Sequence, residues 1–273
     1  MVRVITTDLD GTLLKPKKKF SLVEKENKKF IKEFYGDIVL CSGRNAKFCA
    51  KICNKLKIEH NFIALNGAII VKNGNVIYSQ SIKKTNLISL FNCLKDNYNN
   101  YEFLIFDKYD KITSYSTLKK SKAKLKNFKQ HLKNGRLHNK IKVSNKTTEK
   151  YLNDKTPIYK ALIYSEKAEA IGNFLFSKYN EHFEFFISDH SIEISPKGVN
   201  KGKALKHLIS TTNVKDDEVF VVGDGINDLS LFENFENSFL VTNEKNHLKI
   251  KTKYKIEKFS DLKKHTQLNK NFQ

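Results

Sequence analysis

Both ends of the chain alternate short, nearly unbroken apolar runs with segments whose apolar positions recur at helical spacing. The N-terminal part predicts strand 2–7, helix 21–34, strand 37–41, helix 45–57 and strand 62–65. A hairpin follows, Ala68–Val71 with Val76–Tyr78 across the turn-rich link Lys72–Asn75. The C-terminal part predicts helix 200–211, strand 218–222, helix 227–233, strand 238–241 and a last helix from about residue 259. Runs such as Val219–Val222 contain no polar alternation, which suits strands covered on both faces. This is the pattern of an α/β fold with a doubly wound parallel sheet. Residues 82–189 interrupt it with helices 84–98, 119–133 and 166–179 and strands 101–106, 111–115, 157–164 and 183–187. They predict an inserted α+β domain with an antiparallel sheet, while 1–81 and 190–273 form the core. Gly135–Asp154 is polar and lysine-rich and predicts a loop or a weak strand. No internal repeat of fixed period is present.

The chemistry collects where predicted strands end. Asp8-Leu9-Asp10-Gly11-Thr12 follows the first strand directly. Two carboxylates that close repel each other unless a cation or a shared proton compensates. Ser42-Gly43-Arg44 follows the second strand, Asn200-Lys201-Gly202 opens a helix, and Gly223-Asp224-Gly225-Ile226-Asn227-Asp228 follows another buried strand. In a parallel sheet the C-terminal strand ends share one edge, where ligands bind. Asp8, Asp10, Ser42 and Asp224 are therefore expected to converge. The candidate residues also have plainer roles: acidic turn formers for Asp8 and Asp10, helix N-caps for Ser42 and Asn227, one surface lysine among many for Lys201, and ordinary solvent-facing polar side chains for Arg44 and Asn66.

The segments TDLDGTLL (7–14), CSGR (41–44), LNGA (65–68), EISPKGVNKGKAL (193–205) and VGDGINDLSLFE (222–233) resemble the motifs of the haloacid dehalogenase-like phosphohydrolases, Cof-type group, which carry a large α/β cap. The resemblance covers roughly 1–80 and 190–273; the stretch between matches by length and strand–helix alternation only. It implies a Mg²⁺-dependent phosphatase acting on a small phosphorylated metabolite, such as a sugar phosphate or a phosphorylated cofactor. Asp8 is then the nucleophile and Asp10 the general acid and base. Asp8, Asp224 and the backbone carbonyl of Asp10 hold the metal, and Asp228 orients a metal-bound water. Lys201 neutralises charge, while Ser42, Gly43, Arg44, Asn66 and Asn227 serve the phosphate or substrate. The inserted domain is expected to control access. A phosphomutase using the same site is the alternative within the family.

Composition narrows the partners. With 40% hydrophobic residues the 273-residue chain can bury a substantial core. No stretch approaches 18 consecutive apolar residues, and the first strand begins at once, so neither a membrane span nor a signal peptide is expected and the cytoplasm is the expected compartment. The net charge of +21 could mark a nucleic-acid partner, with the lysine-rich stretch Lys119–Lys150 as a binding or regulatory face. Yet Arg3, Arg44 and Arg136 are the only arginines among 50 basic residues. Arginine is the usual bidentate reader of bases, so the excess reads as solvated lysine surface rather than a nucleic-acid footprint. Cys41, Cys49, Cys53 and Cys93 form no Cys-x-x-Cys pair and are expected as free thiols. No pattern specifies an oligomeric state.

Overall fold

The computed structural model describes residues 2–15, 22–107, 112–117, 141–143, 145–242 and 250–268. In chain order the strands are β1 Val4–Thr7, β2 Leu14–Lys15, β3 Leu22–Val23, β4 Asp37–Cys41, β5 Phe62–Ala64, β6 Ile69–Lys72, β7 Asn75–Ser79, β8 Glu102–Asp107, β9 Ile112–Ser116, β10 Ile141–Val143, β11 Ile158–Tyr164, β12 Phe183–Ser188, β13 Ser191–Pro196, β14 Val219–Gly223, β15 Ser238–Val241 and β16 Tyr254–Ile256. Eight of them form one sheet in the order β16-β15-β14-β1-β4-β5-β6-β7. The first six of that order run parallel, and the hairpin β6–β7 closes one edge antiparallel. The doubly wound α/β expectation is met.

The apolar runs explain this sheet. Val4, Val39, Val219 and Val221 pack on one face against Leu205, Leu208 and Ile209 of helix Lys201–Ser210 and against Leu231 and Phe235. Ile5, Ile38 and Leu40, of opposite parity on the same strands, are buried as well. Burying such side chains stabilises by about 1.5–3 kcal/mol each.

Chain contacts divide the molecule into two units, Met1–Ser79 with Asn200–Gln273, and Gln80–Val199. The second unit has its own six-stranded sheet, β10-β9-β8-β11-β13-β12, antiparallel except for the β9–β10 pair. Helices Lys84–Asn97 and Ala168–Tyr179 bury Leu87, Leu90, Phe91, Ile171 and Leu175 against Phe103, Ile105, Ile163 and Ile194 of that sheet.

Several expectations shift. Strand β13, grouped at sequence level with the core, pairs on both sides within the second sheet. Asn145–Asn153, expected as loop or weak strand, is a helix, because Thr148 and Leu152 supply an (i, i+4) buried stripe in otherwise polar sequence. The helix expected from 21 starts at Lys25, after strand residues Leu22–Val23. The terminal helix is a 3₁₀ turn, Phe259–Leu262, leading into Lys263–Leu268. The expected helix 119–133 lies outside the described residues. Among the described residues no helix is long and apolar enough to cross a membrane.

Candidate active site

Register brings the motifs together. Thr7 pairs with Val222 on one side and Leu40 on the other, so β1, β14 and β4 end level. The next residues are Asp8, Gly223-Asp224 and Cys41-Ser42, and the Asp8 N–H donates to the Val222 carbonyl at 2.9 Å. Opposite them begins helix Lys201–Ser210, capped by Asn200, whose side chain accepts from the Lys203 N–H at 2.9 Å. That cap fixes Lys201 as the first helical residue. Its ammonium is fully buried and donates to Asp8 Oδ1 at 2.5 Å and to Asp228 Oδ1 at 2.6 Å. Asp228 Oδ2 in turn accepts from the N–H groups of Asp224 at 3.0 Å and Gly225 at 2.9 Å. Carboxylate oxygens of Asp8, Asp224 and Asp228 lie within 4.8 Å of one another.

Three further contacts complete the surroundings. Thr12 Oγ1 donates to Asp224 Oδ1 at 2.9 Å. Arg44 donates from Nε and Nη2 to the two oxygens of Asp10, each at 2.6 Å. Asn227 Nδ2 donates to Asn66 Oδ1 at 3.3 Å. Asn66 and Leu65 both sit in the left-handed region, at φ 57° and 52°, and Gly67 follows at φ 111°. This turn is tied down by Leu65 N–H to the Arg44 carbonyl (2.9 Å) and Asn66 N–H to the Ser42 carbonyl (3.0 Å). Neither N-cap alternative is realised. Asn45 caps the helix after Ser42, accepting from Phe48 N–H, and Asn227 lies inside the 3₁₀ turn Ile226–Asp228. Ser42 Oγ instead accepts from the Arg44 N–H at 3.2 Å, and Gly43 stands between them.

Residues 5–261 match the haloacid dehalogenase-like hydrolase family. The chain belongs to that family. An uncharacterised protein of Mycoplasma capricolum is 29% identical over 281 residues, covering 96% of this chain and all of that one. The phosphatase YwpJ of Bacillus subtilis is 25% identical over 260 residues, covering 85% of this chain and 86% of its own. The solved structure of a haloacid dehalogenase-like hydrolase from B. subtilis superposes with a TM-score of 0.78 at 22% identity, covering 97% and 99% of the two chains.

In this haloacid dehalogenase-like hydrolase burial raises the proton affinity of Asp8 and Asp224. Burial raises the Asp8 carboxyl; Lys201 opposes this, and Asp228, Asp224 and Asp10 reinforce it. Asp224 is pushed up to about 7 by burial, then by Asp228, against the Thr12 hydrogen bond. Burial alone would lower Lys201, but Asp228 and Asp8 outweigh it and hold the ammonium charged. An oxygen-only donor set of this kind, acidic and crowded, fits a hard divalent cation such as Mg²⁺. Asp8 and Asp224 have the better claim as ligands, because Asp228 already accepts three hydrogen bonds. The Asp10 side chain is outside the three-carboxylate group and turned to Arg44.

Thr12 and Asn200 lie inside motifs of the sequence but carried no expected role of their own. Thr12 lies in the first motif, but its partner is 212 residues away, so nothing local reveals the contact. Asn200 had a local signal: an Asn directly before a helical period is a standard N-cap.

Proposed function

We propose that this hydrolase is a Mg²⁺-dependent phosphatase that cleaves a small cytoplasmic phosphomonoester, a sugar phosphate or a phosphorylated cofactor, through an aspartyl-phosphate on Asp8. The observation that carries the reading is the Asp8 carboxylate, with one oxygen clamped by buried Lys201 and Asp224 beside it. Asp8, Asp224 and the Asp10 backbone carbonyl would hold Mg²⁺, which would offset the negative charge of the phosphate dianion and the nucleophile.

Asp8 attacks phosphorus with the oxygen that Lys201 does not hold, and the substrate alcohol departs. Asp10 gives its proton to the departing oxygen, so that it leaves as the alcohol, then takes one from the water that releases phosphate from Asp8. Ser42 Oγ accepts from the Arg44 N–H, which leaves its own O–H to donate to the phosphoryl group. Lys201 keeps its charge through both steps because two carboxylates flank it. Phosphatase naming among relatives such as YwpJ supports the substrate class. Four free thiols support a reducing compartment.

Purified protein with Mg²⁺ should hydrolyse p-nitrophenyl phosphate. Asp8→Asn should reduce this to background, and chelation with EDTA should do so reversibly. Undiminished turnover by Asp8→Asn ends this reading.

A further inference from the structure

Asp10 and Arg44 are unequal partners. The Arg44 side chain is 8% exposed and that of Asp10 38%. The guanidinium lies 4.6 Å from the centroid of the Phe48 ring, and the Arg44 main chain is pinned by Ser42 Oγ and the Leu65 N–H. Its remaining nitrogen, Nη1, is buried without a hydrogen-bond partner among the described residues. Arg44 is thus the anchored member and Asp10 the free end. A solvent-facing aspartate on a turn has several rotamers open to it. A two-point fork from a fixed, planar guanidinium sets both the position and the plane of the carboxylate.

The fork does not use up the carboxylate. Each oxygen carries two lone pairs, and Arg44 takes one on each, so the outer pair remains for a proton or a substrate oxygen. We infer that Arg44 is a positioning residue for phosphoryl transfer: it aims Asp10 at the leaving-group oxygen and does not itself bind the phosphate. This rests on Asp10 as acid and base in the proposed function. As the Asp8–phosphorus bond forms and the ester bond breaks, the Asp10 proton moves to the departing oxygen. As water attacks and the Asp8–phosphorus bond breaks, a water proton returns to Asp10. Arg44 keeps all its protons throughout.

The test exploits the leaving group. An alkyl oxide needs a proton to depart and p-nitrophenolate does not, and kcat/KM reports that first transfer. Compare p-nitrophenyl phosphate with whichever alkyl phosphate the wild type turns over fastest in a metabolite panel. Arg44→Lys keeps the charge and loses the fork. It should lower kcat/KM on the alkyl ester on the order of 100-fold and change the aryl value less than about threefold. Asp10→Asn should show the same selectivity, and the double variant should be no worse than Asp10→Asn alone. Phe48→Leu, which removes only the ring beneath the guanidinium, should move the alkyl-to-aryl ratio the same way by a smaller factor. Equal losses on both esters in folded Arg44→Lys, or losses that multiply in the double variant, overturn the role of Arg44. Should Arg44→Lys not fold, an unchanged ratio in Phe48→Leu overturns it. A wild type inactive on both esters, or an active Asp8→Asn, instead removes the phosphatase reading beneath it.

Discussion

Lys201 shows how a single side chain can hold an acidic site together before any ligand arrives. Its ammonium is fully buried and bridges Asp8 and Asp228, which are nearly as buried. Removing one partner from a buried ion network leaves the others uncompensated, typically at about 3–5 kcal/mol. Lys201→Met should lower the urea stability of the EDTA-treated protein by that order, in addition to abolishing turnover. A loss within about 0.5 kcal/mol, the size expected of an ordinary surface change, would contradict this account. Glu102 is the opposite case, a buried acid with no cationic partner among the described residues. Its carboxylate accepts from Ser114 Oγ inside the second sheet, and burial raises its pKa from 4.5 to about 7 despite that bond. Because the folded pKa exceeds the unfolded one, the folded state keeps a proton that the unfolded state loses. Stability contributed by this group is therefore full below pH 4.5, declines as pH rises towards 7, and stays low above it. The decline amounts to about 3 kcal/mol at most. Glu102→Gln should flatten the slope of melting temperature between pH 5 and 7 and melt higher than wild type at pH 8.

At the scale of elements, helix Lys201–Ser210 depends on one amide. Asn200 caps it, and Lys201 is the residue immediately inside. Asn200→Ala should cost about 1 kcal/mol in thermal or urea unfolding. It should also reduce kcat, because the first turn that aims Lys201 frays. Seven strands of the eight-stranded sheet were readable because each is built on an apolar run too short for a helix and bounded by turn residues, as Val219–Gly223 shows. What was not readable follows a common physical cause. Strand Ser191–Pro196 has only Ile192 and Ile194 on its inner face, a signal two residues long, and besides the adjacent Phe183–Ser188 its partner in the second sheet is the distant strand Ile158–Tyr164. Helix Asn145–Asn153 buries a stripe of two. Strand Tyr254–Ile256 is three residues at a sheet edge. In the candidate site, the residues at strand ends were legible because topology alone assembles them. The pairings Thr12 to Asp224 and Arg44 to Asp10 were not, since side-chain partners across 212 and 34 residues leave no mark on local pattern.

The whole molecule carries a net charge of +21, which short-range pairing does little to absorb. Exposed pairs such as Lys253–Glu236 are screened by water and leave that excess in place. A field of that sign gathers any polyanion at low ionic strength. Duplex DNA retained at about 20 mM salt should therefore be released by about 200 mM, because unspecific phosphate contacts are lost steeply over that range. Anisotropy titrations at several salt concentrations would show it. Tight binding that persists at the higher salt would restore nucleic acid as a partner. The same field favours small anionic substrates, whose capture should slow as salt screens it.

Gly11, at φ 94°, lies so near Asp224 that a Cβ placed there would be 2.1 Å from Asp224 Oδ2. The carboxylate at 224 therefore fills the space that a side chain at 11 would need. A side chain at 11 would have to displace that carboxylate and also accept a left-handed backbone. Lineages diverging from this chain should hold both residues unchanged or alter them jointly, however freely the lysine surface drifts.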